Sequence, residues 1–383
     1  MRILVLGGAG AMGMVTVRDL TENPEVSEVI IGDANVEKAK EVAEWTGTEK
    51  VSVKKVDISN FESLTSVMKE VDAVANAAPY HLNLTVTKAA IYARKNLTDL
   101  GGVYYMTLKQ LELNNEAKNA DVTVVLGCGL APGVADILAK HGADKLDKVE
   151  EVHIWYGDRS FEPAKYKWSF RTVLEEYTKG PVVYENGEFK SLPPFSGKQL
   201  VEFPAPVGER ACCYALYSGL ATLPYTINKG VKKVACSMSY TQEDELRIKV
   251  LNELGLTKTE PIKIGEIEIS PREFLLKCVP PPDVKAKDAS SLIVEVKGEK
   301  DGCSAKIRYS LVQKFHETYN VSAIAYLTGV PLSIISQMLA KGEIKEKGVL
   351  PPETAVPHES FFKELAKRGI TINETVEKTL KLA

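Results

Sequence analysis

The chain has 383 residues, of which 44% are hydrophobic and 26% charged, and its formal net charge is −3. This composition is typical of a globular protein, and the length allows two domains that each bury a core. The small negative charge without a long basic run argues against a nucleic-acid partner, and we expect neither a signal peptide nor a membrane-spanning stretch.

The first predicted strand, residues 3–6, runs directly into a glycine-rich turn. Gly8, Gly10 and Gly13 form the pattern Gly-x-Gly-x-x-Gly. Glycine would permit a tight turn at the first position, close approach of a pyrophosphate at the second and close helix packing at the third. A helix predicted at 12–20 would present its free amides to the phosphates. The pattern indicates a dinucleotide site; an ordinary strand-turn-helix unit is the alternative.

An acidic residue follows the second predicted strand, residues 29–31. Asp33 lies where dinucleotide-binding folds hold the ribose hydroxyls of NAD. The next three residues, Ala34 to Val36, supply no cation for a 2′-phosphate. We therefore expect NAD as cofactor rather than NADP.

The third predicted strand, at 51–56, is flanked by predicted helices at 36–45 and 61–69. Asp57 and Ile58 follow this strand, at a position that contacts adenine in doubly wound folds. The alternative is that Asp57 only caps the following helix.

A strand of small residues starting at position 71 leads into a loop at the carboxyl edge of the sheet. The loop residues expected to contact the cofactor are Asn76, Ala77, Ala78 and Pro79. His81 begins the next helix, where it could serve the substrate or be purely structural.

Two further loops are expected at the same edge, because parallel strands end on one side of a sheet. The first follows a strand at residue 97, and its Asp99 could orient an amine or the nicotinamide amide. The second follows a strand at 122–126 and leads into a helix at 134–142. Pro132 suits the first turn of that helix, and Asp136 is the nearest acid.

Beyond residue 148, β-branched and aromatic strands occur without long intervening helices. We predict an α/β fold: a Rossmann doubly wound parallel sheet plus a second α+β domain with a mixed or antiparallel sheet. The predicted domains are 1–127 with 321–383 returning, and 128–320. Second-domain strands are expected at 152–156, 213–218 and 234–240, with a hairpin pairing 292–296 and 305–311. Helices are expected at 172–177, at 243–254 and over 319–341, the last broken by Gly329 and Pro331.

Two motifs, Asp99-Leu-Gly-Gly102 and Gly129-Leu-Ala-Pro-Gly-Val134, carry a family resemblance. With the N-terminal glycine pattern, the chain resembles the saccharopine dehydrogenase-like family. Further similar stretches lie at 174–178, 183–187, 217–223 and 348–353, so the resemblance spans nearly the whole chain. The Ala131-Pro132-Gly133 form is similar to the lysine 6-dehydrogenase branch. Residues 241–247 differ from the histidine-containing pattern of that branch, which leaves the reaction type intact and the amino acid open.

The resemblance implies an NAD-dependent oxidoreductase acting on a C–N bond of an amino acid, a small-molecule substrate, with lysine-like oxidative deamination as the expected reaction. A reductase that forms a secondary amine, as saccharopine and carboxyspermidine enzymes do, is one alternative. A non-catalytic NAD-binding sensor is another. The resemblance also implies a homodimer; a membrane partner and a bound metal are not expected, and the six cysteines, without a Cys-x-x-Cys pair, suit a cytoplasmic protein.

Three groups of site residues are predicted. The catalytic candidates are Asp99, Asp136 and His81, and Asp99→Asn is expected to lower turnover more than it weakens NAD binding. The cofactor contacts are Gly8, Gly10, Ala11, Met12, Gly13, Asp33, Asp57, Ile58, Asn76, Ala77, Ala78, Pro79, Leu100 and Gly101. The substrate contacts are Gly102, Pro132, Gly133, Arg171, Tyr217 and Ser218, with Arg171 as a bidentate carboxylate clamp or a surface ion pair.

Overall fold

Two β-sheets organise the structure, a computed structural model that describes residues 1–162 and 166–379. The strands are β1 (Arg2–Leu6), β2 (Glu28–Asp33), β3 (Val51–Lys55), β4 (Ala73–Asn76), β5 (Asn96–Asp99), β6 (Thr123–Val125), β7 (Lys148–Ser160), β8 (Val182–Glu185), β9 (Glu188–Ser191), β10 (Gln199–Phe203), β11 (Gly208–Tyr214), β12 (Lys233–Ser239), β13 (Ile262–Ile264), β14 (Ile267–Ile269), β15 (Asp288–Lys300), β16 (Cys303–Lys314), β17 (Gly348–Leu350) and β18 (Asn373–Lys378). The α-helices are α1 (Ala11–Glu22), α2 (Val36–Thr46), α3 (Phe61–Lys69), α4 (Asn83–Ala93), α5 (Tyr104–Leu111), α6 (Asn114–Asn119), α7 (Val134–Lys145), α8 (Phe170–Thr178), α9 (Leu223–Ile227), α10 (Gln242–Glu253), α11 (Pro271–Cys278), α12 (Ala323–Ala340), α13 (Pro352–Ala355) and α14 (His358–Lys367). Short 3₁₀ helices span Tyr80–Leu82 and Ser218–Ala221.

The first sheet has seven parallel strands in the order β3-β2-β1-β4-β5-β6-β17. Strand β1 is central, and its alternate residues Ile3 and Val5 pack into one core while Leu4 and Leu6 pack into another. Helices therefore cover both faces, as the continuous apolar run predicts. The strand order reverses direction between β1 and β4, and such a switch point forms the ligand crevice of doubly wound folds. The predicted Rossmann sheet is confirmed.

The second sheet has nine strands and is mixed, which confirms that prediction. Its long central strand β7 pairs in parallel with β12 and antiparallel with β15. Strands β15 and β16 form a hairpin that turns at Asp301 and Gly302, both with positive φ. The strand expected at 213–218 ends at Tyr214, because Ser218 already belongs to a 3₁₀ helix.

Helix α12 corrects one expectation, because it continues through Gly329 and Pro331 without a break. At Gly329 it lies against α1 so closely that a Cβ would stand 2.6 Å from the Met12 carbonyl oxygen. Thr16 Oγ1 of α1 donates a hydrogen bond to the Gly329 carbonyl oxygen at 2.9 Å. The 18-residue helix is long and apolar enough to cross a membrane, but 89% of it is buried inside this molecule. Its composition reflects packing between the domains.

The C-terminal region contributes to both sheets. Strand β17 pairs with β6 at the edge of the first sheet, whereas β18 pairs with β16 in the second. The domain bounds 1–127 with 321–383, and 128–320, remain a prediction. Strand β18 differs from that prediction. Residues 321–383 were all expected to return to the first domain, but β18 pairs with the second sheet.

Candidate functional site

The glycine-rich loop makes its left-handed turn one residue earlier than the motif suggests. Gly7, not Gly8, has a positive φ of 70°. A Cβ on Gly7 would stand 2.7 Å from the Ala78 backbone nitrogen, so this residue also lets the loops after β1 and β4 meet. Gly8 is small for a different reason, because its Cβ would lie 2.9 Å from Ile31 Cγ2.

Gly10 and Gly13 occupy contrasting surroundings. A Cβ on Gly13 would overlap the Gly7 carbonyl oxygen at 2.2 Å, which is the close helix packing predicted for this position. A Cβ on Gly10 would meet only that same oxygen, at 3.1 Å. Gly10 has no side chain with which to cap α1, and the helix's first amides lack partners within it. This open cradle of N–H groups fits a pyrophosphate, and Ala11 and Met12 lie in it.

Asp33 lies beside this cradle at the end of β2. Its Oδ2 accepts a hydrogen bond from the Ala9 amide at 3.1 Å, and its Oδ1 accepts one from the Asn35 amide at 2.9 Å. The carboxylate is thus fixed against the glycine-rich loop, where the adenosine ribose of a dinucleotide would lie. The adjacent strand places Lys55 in register with Asp33. Sequence reasoning, which considered only the residues after Asp33, missed this cation.

Asp57 forms a local turn rather than the helix cap. Its Oδ1 accepts from the amide and the hydroxyl of Ser59, at 2.9 and 2.7 Å. The cap of α3 is Asn60, which accepts from the Ser63 amide at 3.0 Å. Asp57 and the half-buried Ile58 remain at the tip of β3, so their contact with adenine stays a prediction.

A pair of asparagines joins the loops after β4 and β5. Asn76 accepts from the Ala78 amide at 3.1 Å and donates to Asn83 Oδ1 at 3.0 Å. Asn83 in turn donates to the Gly101 carbonyl oxygen at 2.9 Å. The loop carrying Ala77 and Pro79 and the loop carrying Leu100 and Gly101 are thereby held together. Asn83 was not predicted, because an asparagine at a helix start usually indicates only a cap.

Asp99 is fully buried, with 0% of its surface exposed. Its Oδ1 accepts from the amides of Gly101 and Gly127 at 2.7 and 2.9 Å, and its Oδ2 accepts from Gln110 Nε2 at 2.8 Å. Burial raises the pKa of this carboxyl, while the three donors oppose the rise. The side chain joins two loops at the edge of the sheet. This geometry favours a positioning role, and direct catalysis by Asp99 stays a prediction.

Asp136 is equally buried and joins the loop before α7 to the segment just before the 3₁₀ helix at Ser218–Ala221. Its Oδ2 accepts from the Gly133 amide at 2.9 Å, and its Oδ1 accepts from the Tyr217 hydroxyl at 2.6 Å. Burial, followed by the nearby Glu353 carboxylate, raises the pKa of Asp136 to about 8. Glu353, from α13, accepts from Thr226 Oγ1 at 2.9 Å. Its Oε2 is buried and has no hydrogen-bond partner in the part of the chain that the structure describes.

These two carboxyls should make stability pH-dependent. Burial also raises the pKa of Glu353. Because the folded state holds protons that the unfolded state releases, stability should fall as pH rises from about 4 towards 8. Between low and high pH, the free energy of unfolding of Glu353→Gln should fall by about 1–3 kcal/mol less than that of the unmodified protein, since the buried charge no longer forms. Thermal midpoints at pH 5 and 8.5 test this, with the exposed Glu116→Gln as control. An identical pH dependence in all three proteins would contradict it.

The loop from 127 to 133 packs tightly below the sheet edge. Gly133 has a φ of 118°, and its Cβ would lie 2.3 Å from the Gly129 carbonyl oxygen. A Cβ on Gly101 would meet Pro132 Cγ at 2.8 Å and Ser218 Oγ at 3.5 Å. The predicted residues Gly101, Pro132, Gly133 and Ser218 are therefore brought together. Ser218 Oγ is buried without a hydrogen-bond partner among the described residues.

A cluster of charged and aromatic side chains lies where the second domain faces the loop after β4. We call Tyr80, His81, Arg171, Glu175, Arg272 and Glu273 the cleft-mouth cluster. Arg171 donates to both carboxylate oxygens of Glu273, at 2.7 and 2.6 Å. Arg272 and Glu175 form a buried ion pair, each side chain 7% exposed. A Cβ on Gly102 would stand 2.4 Å from Tyr80 Cβ, so the Tyr80 ring lies directly on the loop after β5.

The pKa shifts of Tyr80 and His81 reflect their contact with charged side chains of α8. Burial and the Glu175 carboxylate raise the pKa of Tyr80. Burial and the Arg171 guanidinium lower the pKa of His81, so its imidazole is mainly neutral at pH 7. Sequence reasoning found His81 and Arg171 but missed the other four residues. Arg272 and Glu273 follow Arg171 by about one hundred residues, and no local pattern marks them.

A cavity of about 810 Å³ lies wholly in the second domain. Val173 and Tyr177 of α8 line it, whereas Arg171 and Glu175 of the same helix face the cleft-mouth cluster. The cavity is therefore separate from the cleft-mouth cluster. Within residues 1–162 and 166–379, no group of three or more His, Cys, Asp or Glu side chains could hold a metal ion.

Two family models cover nearly the whole chain. The saccharopine dehydrogenase NADP binding domain matches residues 3–125, and the saccharopine dehydrogenase C-terminal domain matches residues 129–370. Among solved structures, apo saccharopine dehydrogenase (L-Glu forming) from Saccharomyces cerevisiae is similar in fold, with a TM-score of 0.74. That match has 20% sequence identity and covers 98% of this chain and 99% of the other.

Curated relatives also match over full length. The carboxyaminopropylagmatine dehydrogenase of Synechocystis sp. is 23% identical and covers 97% of each chain. The carboxynorspermidine synthase of Vibrio cholerae is 24% identical and covers 95% of this chain and 94% of its own. These names correspond to the alternative of a carboxyspermidine-type enzyme rather than to the lysine 6-dehydrogenase branch. The predicted family is confirmed: the chain belongs to the saccharopine dehydrogenase family, oxidoreductases with a nicotinamide cofactor that act on C–N bonds.

Proposed function

We propose that the protein joins an amine and a carbonyl compound reductively, giving a carboxylated secondary amine. The observation that carries this proposal is the cleft-mouth cluster, where charges of both signs from the second domain face Tyr80 and His81. A two-ended product has a carboxylate at one end and amines elsewhere, so its binding site needs cations and acids together. Lysine-like oxidative deamination is the second candidate, favoured by the Ala131-Pro132-Gly133 form.

The cluster supplies both kinds of group on exposed or half-buried side chains. Arg171 presents the planar fork that binds carboxylates bidentately. Glu273, whose side chain is 50% exposed, carries an acid suited to an ammonium group. By contrast, Asp99 and Asp136 have their oxygens occupied in buried hydrogen bonds. The names of the full-length relatives support the same substrate class.

The proposed reaction balances as condensation followed by reduction. The amine and the carbonyl compound form an imine and release water. A reduced nicotinamide cofactor, held by the start of α1 and by the loops after β4 and β5, would provide the hydride for the imine carbon, and a proton would complete the secondary amine at the nitrogen. The amides at the start of α1 bind the pyrophosphate, and the Asn76–Asn83 pair orients the loops around the reacting carbon. His81 is mainly neutral near pH 7. It is the candidate to take a proton from the substrate ammonium group, because only the unprotonated amine can attack the carbonyl carbon.

An assay at 340 nm with both cofactors tests the reaction. We expect oxidation of NADH or NADPH when an amine and a carboxylated aldehyde are added together, with the secondary amine identified by mass spectrometry. Reduction of the cofactor by L-lysine alone, with release of ammonia, would support lysine-like deamination instead. Binding of cofactor without turnover of any amine would support the non-catalytic sensor.

For the cofactor, we propose NAD over NADP, since the Asp33 carboxylate would repel a 2′-phosphate. We expect Asp33→Ser to lower the ratio of the NADP dissociation constant to the NAD dissociation constant about tenfold, because the charge that repels the 2′-phosphate disappears. Calorimetry with both cofactors measures this. Lys55→Ala is the matched control, because it should weaken NADP binding without affecting NAD. Tighter NADP binding by the unmodified protein, in line with the name of its family model, would refute the preference.

A further inference from the structure

We propose that Glu273 is an internal occupant of the carboxylate-binding site, a latch that holds Arg171 until a substrate carboxylate displaces it. The inference rests on the proposed function, because it assumes that Arg171 binds the substrate. It adds a second residue, Glu273, whose carboxylate competes with the substrate carboxylate for Arg171.

The geometry of the pair supports this role. Both Glu273 oxygens accept from the terminal nitrogens of Arg171, at 2.7 and 2.6 Å. This is the fork arrangement that a ligand carboxylate would adopt. The Glu273 carboxylate therefore occupies the position that the substrate requires, and both cannot bind the same face of the guanidinium at once.

The accessibility of the pair makes exchange feasible. The Arg171 side chain is 24% exposed and that of Glu273 is 50% exposed. The neighbouring pair of Arg272 and Glu175 is buried, with each side chain 7% exposed. Breaking the buried pair would leave uncompensated charges, whereas Glu273 can rotate into water at little cost. The cluster thus combines a permanent ion pair with an exchangeable one.

The position of Glu273 on its helix also suits a movable carboxylate. It lies in the first turn of α11, and its amide donates to Ser270 Oγ at 3.5 Å. That bond uses the backbone N–H of Glu273, so the cap of α11 does not require its carboxylate. Glutamine at this position would keep the helix and remove only the charge that competes for Arg171.

Calorimetric titration with glutarate, in the presence of saturating NADH, tests the latch on the full chain. We expect Glu273→Gln to bind glutarate about two- to fivefold more tightly, which matches the modest strength of an exposed ion pair. Glu299→Gln is the matched control, because it breaks the exposed pair with Lys148, at 2.9 Å, elsewhere in the second domain. The control should bind glutarate like the unmodified protein.

Arg171→Ala separates the latch from the proposed function. If this variant binds glutarate as the unmodified protein does, Arg171 is not the carboxylate site and both proposals about it are wrong. If Arg171→Ala loses glutarate binding but Glu273→Gln does not strengthen it, the latch alone is wrong. If Glu273→Gln weakens binding, Glu273 positions Arg171 rather than competing for it, which also overturns the latch.

Discussion

Replacing Gly13 with valine should prevent the first domain from folding, whereas Gly10→Val should fold and lose its cofactor. A Cβ on Gly13 would lie 2.2 Å from the Gly7 carbonyl oxygen and 2.9 Å from Gly8 Cα, and both are backbone atoms that cannot move independently. Gly10 has φ −77° and ψ 168°, which any L-residue adopts, and its Cβ would make a single tight contact, at 3.1 Å from the Gly7 carbonyl oxygen, which a shift of a few tenths of an ångström relieves. The valine side chain would instead occupy the space predicted for the pyrophosphate.

Circular dichroism and calorimetry with NAD distinguish the two variants. We expect Gly10→Val to keep its thermal midpoint within a few degrees while NAD binding falls below detection. Gly13→Val should be recovered only as insoluble or unfolded protein. Normal NAD binding by Gly10→Val would show that the cofactor does not use this loop, and a folded Gly13→Val would contradict the packing described here.

Asp99→Ala should destabilise the protein strongly, by about 3–5 kcal/mol, while Asp99→Asn should be tolerated. Alanine leaves the buried amides of Gly101 and Gly127 without an acceptor and opens a cavity. Asparagine keeps Oδ1 for those two amides. Its new NH₂ group would face Gln110, whose Oε1 has no partner among the described residues and can accept once the amide flips. Thr87 Oγ1, which accepts from Gln110 Nε2 at 3.0 Å, would then donate to Oε1 instead.

Turnover and NAD affinity of Asp99→Asn decide between positioning and catalysis. With a positioning role, both quantities should change by less than about tenfold, together with a small drop in thermal midpoint. A loss of turnover of about a thousandfold, with NAD affinity and stability unchanged, would restore Asp99 as a catalytic residue, as the sequence predicts. This result would require its buried carboxyl to become accessible when substrate binds.

The first domain was predictable because its signals are local. The apolar run of β1, the glycines and the acid at the end of β2 each follow from residues close in sequence. Helix α3 begins and ends at Phe61 and Lys69, as predicted. The break expected at Gly329 and Pro331 in α12 was wrong, because packing against α1 outweighs the local preference of these residues.

The candidate site was predictable only in part, because its two walls come from distant segments. Asp99 was singled out as an acid at a strand end and Asp136 as the nearest acid in the helix that follows, and the sequence gives no sign that backbone amides surround them. Glu353 and Tyr217 each reach the Asp136 region from another part of the chain. The pairing of Arg171 with Glu273 depends on how α8 and α11 pack, and that arrangement follows from the tertiary fold.

The position of β17 affects how the protein is made. Thr123 of β6 donates to the carbonyl oxygen of Glu346, 223 residues later, and β17 then completes the dinucleotide-binding sheet. During synthesis the outer edge of β6 therefore stays unpaired until most of the remaining chain has left the ribosome. Unpaired edges associate with one another, so the N-terminal half expressed by itself should aggregate. Fusing the segment from α12 to β17 behind residue 127 would be the route to an independent nucleotide-binding fragment.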